Sequence, residues 1–571
     1  MAASKRYGNA IVIGGSMAGL MAARVLSDHF ARVTLVERDT FTEGTEPRKG
    51  VPQGWQAHGL LSGGQQVMEK LFPGLTDDLV AEGATTLDLA NDLRWYQPGG
   101  YRLRFKSGLM GISMSRPLLE AGIRRRVRQI ANVEVIDGCD VTGLTASADR
   151  TNVTGIILKR RGEGSAEETL AAELVVDAGG RGSHAPAWLE ALGYERPEEE
   201  KITVGVGYTS RIYRRRPGDL PDAMSAICQP TPPHETRIAV LLPIEGDRWI
   251  ATCAGWLGDH APADDEGFLA FARSLPAPDI YNVIQHAEPL GDYTTHKFPA
   301  NLRRRYERLK RVPEGYAVVG DALCSFNPTY GQGMSSAALA VMALDTCLRG
   351  SRNGLQGLPG TFYRRAAKVI DTPWQMAAGG DFGYPEVTGK KAPGTDTINR
   401  YMGRVFAAST ADQHVCMKLV EVANLLAPPT ALFAPRVVFG VLRHALRNRQ
   451  TTNVPHIIPA PQSATNAPEP PPLSQRWERG AAPQRGGGEV PHQHALDTRH
   501  SALIRLTTDD RGLPGDFTSG RATHATRSPQ RCPPTPARTH LSCSPRQRTN
   551  VAAAILRGRT CVCGSGNGVE A

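Results

Sequence analysis

Apolar runs and turn residues alternate along the first part of the chain in the manner of an α/β protein. An apolar strand is predicted over residues 10–13, a helix over 17–26 and a second strand over 33–36, so the chain opens with a βαβ unit. The pattern continues with a predicted helix over 116–130 and predicted strands over 133–136, 153–158 and 174–177. Strands that alternate with helices in this way are typical of a parallel sheet.

The middle of the chain has a different pattern. Four alternating strands are predicted between residues 202 and 252, mostly antiparallel because Pro-Gly, Pro-Pro and Gly-Asp turn signals separate them. They suggest a separate sheet that covers a substrate. A short strand over 316–319 and a long helix over 332–348 follow, and the chain is largely helical from residue 360 to about 447.

The composition changes near residue 460. Residues 460–571 are rich in Pro, Gly, Ser and Arg, with 14 Arg and no Lys, and they have no sustained periodicity. Such a segment buries too little apolar surface to offset its ordering entropy, so we expect it to be disordered. A functional interaction tail is the alternative interpretation.

The charge distribution argues against nucleic-acid binding as the function. The 571 residues carry 66 Lys and Arg against 56 Asp and Glu, a net charge of +10. Outside the tail the charges are nearly balanced, and no basic face interleaved with aromatic residues indicates nucleic-acid binding. No run approaches the roughly 18 apolar residues of a membrane span, and the N-terminus lacks the pattern of a secretory signal, so we expect a cytoplasmic protein.

Ten cysteines are few for a chain of this length. Six have neither metal-ligand nor disulfide spacing and are interpreted as small buried side chains: Cys139, Cys228, Cys253, Cys324, Cys347 and Cys416. Cys561 and Cys563 lie in the tail, where a single Cys-x-Cys pair is weak evidence for zinc. We therefore predict no metal site.

The first candidate site is the glycine-rich turn after the opening strand. Residues 11–19 read IVIGGSMAG, with Gly14 placed for a tight turn and Gly19 for close packing of helix on strand. Ser16 stands where a middle glycine is usual. Glu37 ends the second strand, where a carboxylate accepts hydrogen bonds from ribose hydroxyls and repels a 2′-phosphate. This arrangement of strand, turn, helix and acid predicts adenine-dinucleotide binding.

A second candidate site follows the short strand over 316–319. Asp321 comes directly after that strand, and Gly331 and Gly333 precede the long helix. An exposed acid at the end of a strand suits recognition of a polyol. The two glycines let the backbone approach a planar ring, and the dipole of the following helix can stabilise negative charge on a reduced flavin.

Two more segments place polar residues at the ends of predicted elements. Residues 177–183 read DAGGRGS and follow a buried strand. Residues 48–53 read RKGVPQ and precede His58, and Arg116 opens a helix. A lone Arg or His more often has a structural role. In this order and spacing, however, these residues are not interpreted as independent of one another.

Residues 9 to about 450 resemble FAD-dependent monooxygenases of the p-hydroxybenzoate hydroxylase-like superfamily. The resemblance is strongest to flavin epoxidases of polyether and polyketide pathways and to squalene-monooxygenase-like enzymes. The segments that carry it are residues 48–58, 177–183, 262–268 and 320–333. The sequence departs from the family at Ser16 and at Trp55-Gln56, where relatives tend to carry a basic residue and His.

The resemblance implies where FAD is held. The first glycine-rich turn and Glu37 bind its adenosine half, the stretch around Asp321 binds ribityl and pyrophosphate, and Arg116 contacts FAD from the start of its helix. The predicted cofactor-binding residues are Gly14, Gly15, Ser16, Met17, Ala18, Gly19, Glu37, Arg38, Arg48, Gln53, Arg116, Asp177, Asp321, Pro328, Gly331, Gln332, Gly333 and Met334. No catalytic residue is assigned.

The resemblance also implies the fold class. It is α/β, with a glutathione-reductase-type Rossmann FAD-binding domain, an inserted and mostly antiparallel β-sheet substrate domain, a helical C-terminal part and a disordered tail. The predicted domains are 1–200 and 301–355 for the two parts of the FAD-binding domain, 201–300 for the substrate-covering sheet, 356–450 for the helical region and 460–571 for the tail.

The function that the resemblance implies is an FAD-dependent monooxygenase. It epoxidises or hydroxylates a lipophilic alkene or aromatic through a C4a-hydroperoxyflavin formed with O2. The sequence carries no GxSxG or HExxH motif. It has no second dinucleotide fingerprint either, so NAD(P)H docks transiently or a partner flavin reductase supplies the electrons.

Three alternatives were compared with this function. A flavin halogenase should carry Trp-x-Trp-x-Ile-Pro, a spacing that the seven tryptophans never form. A reductase of prenyl-type alkenes would use the same FAD site, and it stays open. A non-catalytic FAD-binding protein at a membrane surface also stays open, because the apolar segment 425–446 contains arginines and suits a peripheral membrane contact. Core packing is the favoured interpretation of that segment.

Overall fold

The computed structural model describes residues 7–162, 165–352 and 354–451. The predicted disordered tail over 460–571, with Cys561 and Cys563, lies outside the described residues. Within them the strands are, in chain order, β1 (Tyr7–Ile13), β2 (Phe30–Val36), β3 (Thr85–Asp88), β4 (Leu93–Gln97), β5 (Gly100–Tyr101), β6 (Met110–Ser113), β7 (Val133–Ile136), β8 (Cys139–Ala146), β9 (Val153–Arg160), β10 (Glu167–Ala171), β11 (Leu174–Asp177), β12 (Glu199–Arg214), β13 (Ser225–Cys228), β14 (Arg237–Ile244), β15 (Arg248–Gly255), β16 (Thr294–Arg304), β17 (Tyr316–Val318) and β18 (Cys324–Ser325).

The α-helices of the same ranges pack on the parallel strands, which also contact a three-stranded sheet of β8, β9 and β10, and they make up most of the C-terminal part. In chain order they are α1 (Met17–Ser27), α2 (Ser62–Leu71), α3 (Leu75–Ala81), α4 (Arg116–Arg128), α5 (Ala185–Ala191), α6 (Asp265–Arg273), α7 (Asp279–Ile284), α8 (Gly333–Gly350), α9 (Leu358–Asp381), α10 (Thr395–Ala408), α11 (Gln413–Ala423) and α12 (Pro435–Thr451). Short 3-10 turns lie at Pro52–Trp55, Tyr306–Arg308, Gly320–Ala322, Pro328–Tyr330 and Pro429–Phe433.

Five strands form a parallel sheet in the order β17-β11-β1-β2-β7. Every pairing in it is parallel, and Ile11 lies between Val175 and Thr34 at its centre. The apolar run of β1 is buried because a central parallel strand is covered on both faces. Helix α1 connects β1 to β2 and contacts α8. The predicted βαβ unit is therefore confirmed.

A second sheet has eight strands in the order β18-β16-β12-β15-β14-β13-β4-β5. The four strands predicted between residues 202 and 252 are β12, β13, β14 and β15, and their mutual pairings are antiparallel, as predicted. Strand β16 pairs antiparallel with β12 on its other side. Strand β4 joins β13 in parallel and pairs with β5, so residues 93–101, for which the periodicity gives no prediction, extend this sheet. Its central strands come after β11 and before β17, so the sheet is inserted in the FAD-binding fold, and the predicted fold class is confirmed.

The main hydrophobic core lies between the parallel sheet and its helices. Val12, Leu20 and Phe30 are fully buried there. A second core cluster, which includes Trp249 and Phe268, packs α6 and α7 against the eight-stranded sheet. The six scattered cysteines are all buried and free, as predicted.

Helix α12 packs with one face and exposes the other. Val437 and Val441 belong to a core cluster with α10 and α11, whereas Phe439, Leu442 and Leu446 are exposed. The apolar segment that ends the described chain therefore contributes to the core and to the surface. Across residues 7–451, leaving aside the two short gaps, no helix is long and apolar enough to cross a membrane.

Candidate active site

The turn after β1 brings backbone against backbone. The Gly14 N–H donates to the carbonyl oxygen of Val36 over 2.8 Å, and Gly14 has a φ of +94°. A Cβ on Gly14 would lie 2.6 Å from the carbonyl oxygen of Ala178, and one on Gly19 would overlap the carbonyl oxygen of Gly14. Only glycine fits at either position. Helix α1 therefore starts close to the strand ends with its first N–H groups free of helical partners.

Ser16 has a structural reason to differ from glycine. The Arg116 Nη2 donates to Ser16 Oγ over 2.9 Å, and Ser16 Oγ donates to Glu120 Oε2 over 3.1 Å. Arg116 also forms an ion pair with Glu120 at 2.9 Å. The serine therefore ties the glycine-rich turn to helix α4, where a glycine could not.

Arg48 and Arg116 hold a buried carboxylate behind this turn. Arg48 Nε donates to Glu120 Oε1 over 2.7 Å. Burial alone would raise the pKa of Glu120, but Arg116 and Arg48 hold that pKa below its usual range. The Nη1 of Arg116 is buried and has no hydrogen-bond partner among the described residues. The residue Arg116 lines the cavity described below, and its guanidinium suits an anionic or carbonyl group of a cofactor.

Glu37 is already engaged by the protein. Its Oε2 accepts from the Gly15 N–H over 2.6 Å, and its Oε1 accepts from the Asp39 N–H over 3.0 Å. Arg48 lies 3.5 Å from the same carboxylate. Glu37 thus stabilises the turn, and its predicted contact with ribose stays a prediction.

Asp177 supports the loop after β11. Its Oδ1 accepts from the Gly179 N–H over 2.7 Å, and its Oδ2 accepts from the hydroxyls of Ser183 and Tyr316 over 2.7 and 2.9 Å. Burial raises the pKa of this carboxyl. Both oxygens are therefore used inside the protein, in a loop that lines the cavity described below.

Asp321 is different, because its carboxylate makes no hydrogen bond or ion pair with any described residue. Gly320, with a φ of +65°, packs so closely on helix α1 that a Cβ would lie 2.6 Å from Cβ of Ala18. Burial raises the pKa of Asp321 to about 6, and Arg181 and Arg116 oppose that rise. The second motif thus places a free acceptor beside the first one, where a polyol hydroxyl can donate to it.

The loop that carries Asn327 is fixed from behind by Asp381 of helix α9. The Asp381 Oδ1 accepts from Trp256 Nε1 and Asn327 Nδ2 at 2.9 Å each and from the Tyr330 hydroxyl at 3.1 Å. Its Oδ2 accepts from Asn301 Nδ2 over 2.7 Å. Burial raises the pKa of Asp381 to about 6. One buried carboxyl therefore joins the loop to α9 and to the eight-stranded sheet.

All these elements border one cavity of about 1820 Å³. One part of its lining, which we call the glycine-rich wall, consists of Gly14, residues 16–18, Gly320 and Asp321. Another part, which we call the sheet wall, consists of Trp95, Arg102, Ile227, Ile238 and Val240. At Gly333 a Cβ would meet no atom within 4 Å, so the backbone is open to the cavity. The free carboxylate of Asp321, the guanidinium of Arg116 and the open backbone at Gly333 fit FAD.

The predicted cofactor-binding residues converge on this cavity with three exceptions. Gly15, Gly19 and Arg48 do not line it and instead support the turn. The others line it, namely Gly14, Ser16, Met17, Ala18, Glu37, Arg38, Gln53, Arg116, Asp177, Asp321, Pro328, Gly331, Gln332, Gly333 and Met334. Whether each of them contacts the cofactor stays a prediction.

Sequence reasoning missed several residues of the site. Arg181 lines the cavity near Asp321, and its place in the DAGGRGS segment could have indicated it. His58, noted in the sequence, lines the cavity with His296. Burial and Arg116 lower the pKa of His58 to about 4. Asp381 lies in no motif, so no signal in a single sequence identifies it.

The fold is shared with flavoenzymes of known structure. The flavin-dependent brominase Bmp2 matches with a TM-score of 0.54 at 15% identity, over 78% of this chain and 100% of that chain. The flavin-dependent halogenase CmlS gives 0.52 at 16% identity over 78% of each chain. PqsL of Pseudomonas aeruginosa, solved with 2-aminobenzoylacetate, matches with a TM-score of 0.50 at 17% identity, over 72% of this chain and 98% of that chain. The class is that of flavoenzymes with the p-hydroxybenzoate hydroxylase-like fold.

The sequence comparisons agree with the fold. The model of the family described as FAD dependent oxidoreductase matches residues 9–188. Protein Rv3254 of Mycobacterium tuberculosis is 35% identical over 403 residues, which cover 68% of this chain and 84% of that protein. The chain belongs to the FAD-dependent oxidoreductase family and is an enzyme, so the non-catalytic alternative is set aside.

Proposed function

We propose that this enzyme is a monooxygenase that inserts one oxygen atom of O2 into a lipophilic alkene or aromatic, by epoxidation or hydroxylation. The observation that carries the proposal is the single cavity of about 1820 Å³ that joins the glycine-rich wall to the sheet wall. A substrate packed on apolar side chains then shares one continuous space with the cofactor. Exclusion of water from such a space protects reactive oxygen species from side reactions.

FAD, when bound, supplies the transfer of electrons to O2 and of one oxygen atom to the substrate. The residues of the chain bind and orient it. The turn at Gly14 and the N-terminus of α1 hold the pyrophosphate. Asp321 accepts a hydrogen bond from a hydroxyl of the cofactor chain, and Gly331 and Gly333 let the backbone approach its ring.

His58 contributes a neutral imidazole ring to the lining of the cavity. Its Nδ1 lies 2.9 Å from the carbonyl oxygen of Gln56, so the neutral ring donates through Nδ1 and keeps Nε2 as an acceptor. Its lowered pKa, about 4, leaves the ring neutral at neutral pH. His58 can therefore accept a hydrogen bond at Nε2 from a substrate hydroxyl.

The electrons come from NAD(P)H that docks transiently or from a partner flavin reductase. The absence of a second dinucleotide fingerprint from the sequence supports this part of the proposal. Flavin reduction by NADH, by NADPH and by an added NADH–flavin reductase, followed as loss of flavin colour, separates the three sources.

The brominase and the halogenase share the fold at 15% and 16% identity. The chain lacks the Trp-x-Trp-x-Ile-Pro segment expected of that chemistry, since its tryptophans are Trp55, Trp95, Trp188, Trp249, Trp256, Trp374 and Trp477. Monooxygenation is therefore preferred. A reductase of prenyl-type alkenes is the remaining alternative within the same cofactor site.

Isotope labelling tests the proposal. A panel of lipophilic alkenes and phenols is turned over under 18O2 with a reductase present, and products are analysed by mass spectrometry. We expect one labelled oxygen from 18O2 and none from H2(18)O. Product that forms without oxygen, or that never carries the label, contradicts the monooxygenase and favours the reductase, which adds hydrogen and works anaerobically.

A further inference from the structure

A buried arginine of the sheet wall has no counter-charge. Arg102 follows β5, is 6% exposed and lines the cavity. Its Nε and Nη2 donate to Gln97 Oε1 over 3.2 and 3.0 Å, and its guanidinium lies 3.9 Å from the centre of the Trp95 ring. Gln97 in turn donates to the carbonyl oxygen of Phe406 over 3.0 Å and to Ser409 Oγ over 2.6 Å. The guanidinium is therefore held in one orientation.

Arg102 differs in this respect from the other buried arginines of the described chain. Each of those five has a carboxylate oxygen within 4.0 Å, namely Arg48, Arg116, Arg124, Arg303 and Arg304. Arg102 has no such partner among the described residues, and its Nη1 makes no hydrogen bond to them. Its donors are therefore only partly used.

The nearby titratable group does not compensate the charge. Burial raises the pKa of the Cys416 thiol to about 11, so the thiol is neutral at physiological pH. Burial lowers the pKa of Arg102 to about 10, and the guanidinium still stays charged there. A buried charge without a partner is costly to the folded state. A ligand that brings the missing negative charge would offset that cost.

We propose that Arg102 is a substrate-binding residue that pairs with a carboxylate, so that the substrate is a lipophilic acid. This inference rests on the proposed function and names its substrate class. A planar guanidinium with a free edge matches a carboxylate through paired N–H···O bonds. Trp95, Ile227 and Ile238 line the same wall and suit the apolar body of the acid.

The anion recognised here is distinct from the phosphates of the cofactor. Strands β4 and β5 lie at one edge of the eight-stranded sheet, and β18, which follows Asp321, lies at the other edge. The turn at Gly14 and the stretch around Asp321, to which the cofactor is assigned, follow β1 and β17 of the parallel sheet. Arg102 is thus placed to hold a substrate while FAD occupies the glycine-rich wall.

A matched pair of probes tests the proposal on the FAD-loaded, full-length enzyme. Naphthalene-2-acetate and naphthalene-2-acetamide have nearly the same shape and differ in charge, and calorimetry measures the affinity of each. We expect the wild type to bind the acid at least about tenfold more tightly than the amide. In Arg102→Met that preference falls to within about twofold through loss of acid affinity alone, and Arg102→Lys keeps part of it.

The control is Arg400→Met. Arg400 lines the same cavity but is exposed, so this variant removes the same charge and should keep the tenfold preference. Flavin content and the thermal midpoint report folding, and the midpoint of Arg102→Met should not fall, because an unpaired buried charge is removed. Acid raises the midpoint of the wild type but not that of Arg102→Met.

Three results would overturn the proposal. One is equal affinity of the wild type for the two probes, including failure to bind the acid. Another is an acid preference that survives in Arg102→Met. The last is a lower midpoint with weaker binding of both probes, which would make Arg102 structural. Because binding is measured without turnover, a failed 18O2 experiment would remove the monooxygenase while leaving an observed acid preference intact.

Discussion

The glycine-rich wall and the sheet wall of the cavity are built differently. At the first, the chain packs so closely that a Cβ on Gly14 or Gly320, or on the supporting Gly19, would collide with its neighbours. At the second, side chains from β4, β13 and β14 face the cavity and pack against one another. The first surface depends on the absence of side chains and the second on their presence.

This difference explains what each surface can recognise. A wall of backbone presents N–H groups at fixed positions, and these suit the phosphates and ring that every FAD carries. A wall of side chains changes its shape with each substitution, so it suits a substrate that differs from enzyme to enzyme. Substitutions in each wall test whether the two surfaces differ in this way.

The largest effect is expected for Gly19→Ala. A Cβ there overlaps the carbonyl oxygen of Gly14, so the turn must move and FAD affinity should fall by at least about 100-fold. The same change at Gly403, where a Cβ would meet nothing within 4 Å, should leave flavin content unchanged. Flavin absorbance per protein and far-ultraviolet circular dichroism measure both. Equal flavin content in the two variants would remove the distinction between the walls.

Asp381 joins the loop that carries Asn327 to the eight-stranded sheet, so its removal should destabilise the folded protein. Asp381→Ala leaves the donors of Trp256, Asn301 and Asn327 without their acceptor, and we expect unfolding to become easier by about 3 kcal/mol. Asp396→Ala, which removes an exposed aspartate from α10, should cost less than about 1 kcal/mol. Urea unfolding of both variants measures the difference. Equal losses would show that the network does not couple the loop to the sheet.

A smaller effect is expected for Asp321→Asn, which should weaken FAD binding but stabilise the flavin-free protein. FAD affinity should fall by roughly tenfold because the charged acceptor for a cofactor hydroxyl is replaced by a neutral amide oxygen, which accepts a weaker hydrogen bond. The flavin-free protein should instead melt about 2 °C higher near pH 7.5, because a poorly solvated charge disappears. Titration with FAD and thermal melts measure the two quantities.

The gain in melting temperature of Asp321→Asn depends on pH, and its direction follows from the folded and unfolded pKa values of Asp321. The folded pKa of Asp321 is raised to about 6, whereas an unfolded aspartate titrates near pH 4. Between about pH 4 and 6 the folded state holds the extra proton, so the stability of the wild type falls as the pH rises through that window. The advantage of Asp321→Asn should therefore be full above about pH 6 and vanish near pH 4. An advantage that is independent of pH would contradict the assignment.

The smallest effect concerns the peripheral membrane contact, the alternative to core packing for the segment 425–446, which lies beyond both walls. Phe439, Leu442 and Leu446 are exposed along one side of α12, and Arg436 and Arg447 are exposed beside them, an arrangement that suits anionic lipid. Serine at the three apolar positions should lower co-sedimentation with phosphatidylglycerol vesicles by about threefold.

The control for this experiment is the pair Val80→Ser and Met110→Ser, which removes exposed apolar side chains elsewhere. Phosphatidylcholine vesicles should bind the wild type more weakly than the anionic ones. Unchanged sedimentation of the α12 variant would leave core packing as the whole explanation of the segment.

The two walls also differ in how far the sequence predicts them. Gly14, Gly19 and Asp321 were identified because close backbone approach forces particular residues at fixed spacing, and the opening βαβ unit follows from local periodicity. Strand β4 was not predicted, because its pairing with β13 joins residues about 130 positions apart. Arg102 and Asp381 owe their roles to neighbours brought together only by the folded chain.

The strands of the eight-stranded sheet interrupt those of the parallel sheet along the chain, and this order affects folding during protein synthesis. Strand β17, residues 316–318, completes the parallel sheet beside β11, and β16 ends only at residue 304. A ribosome must therefore release more than half of the chain before β11 gains its second partner in the parallel sheet. Until then a nascent edge is left unpaired, which favours slow folding and exposes the growing polypeptide to aggregation and to chaperones.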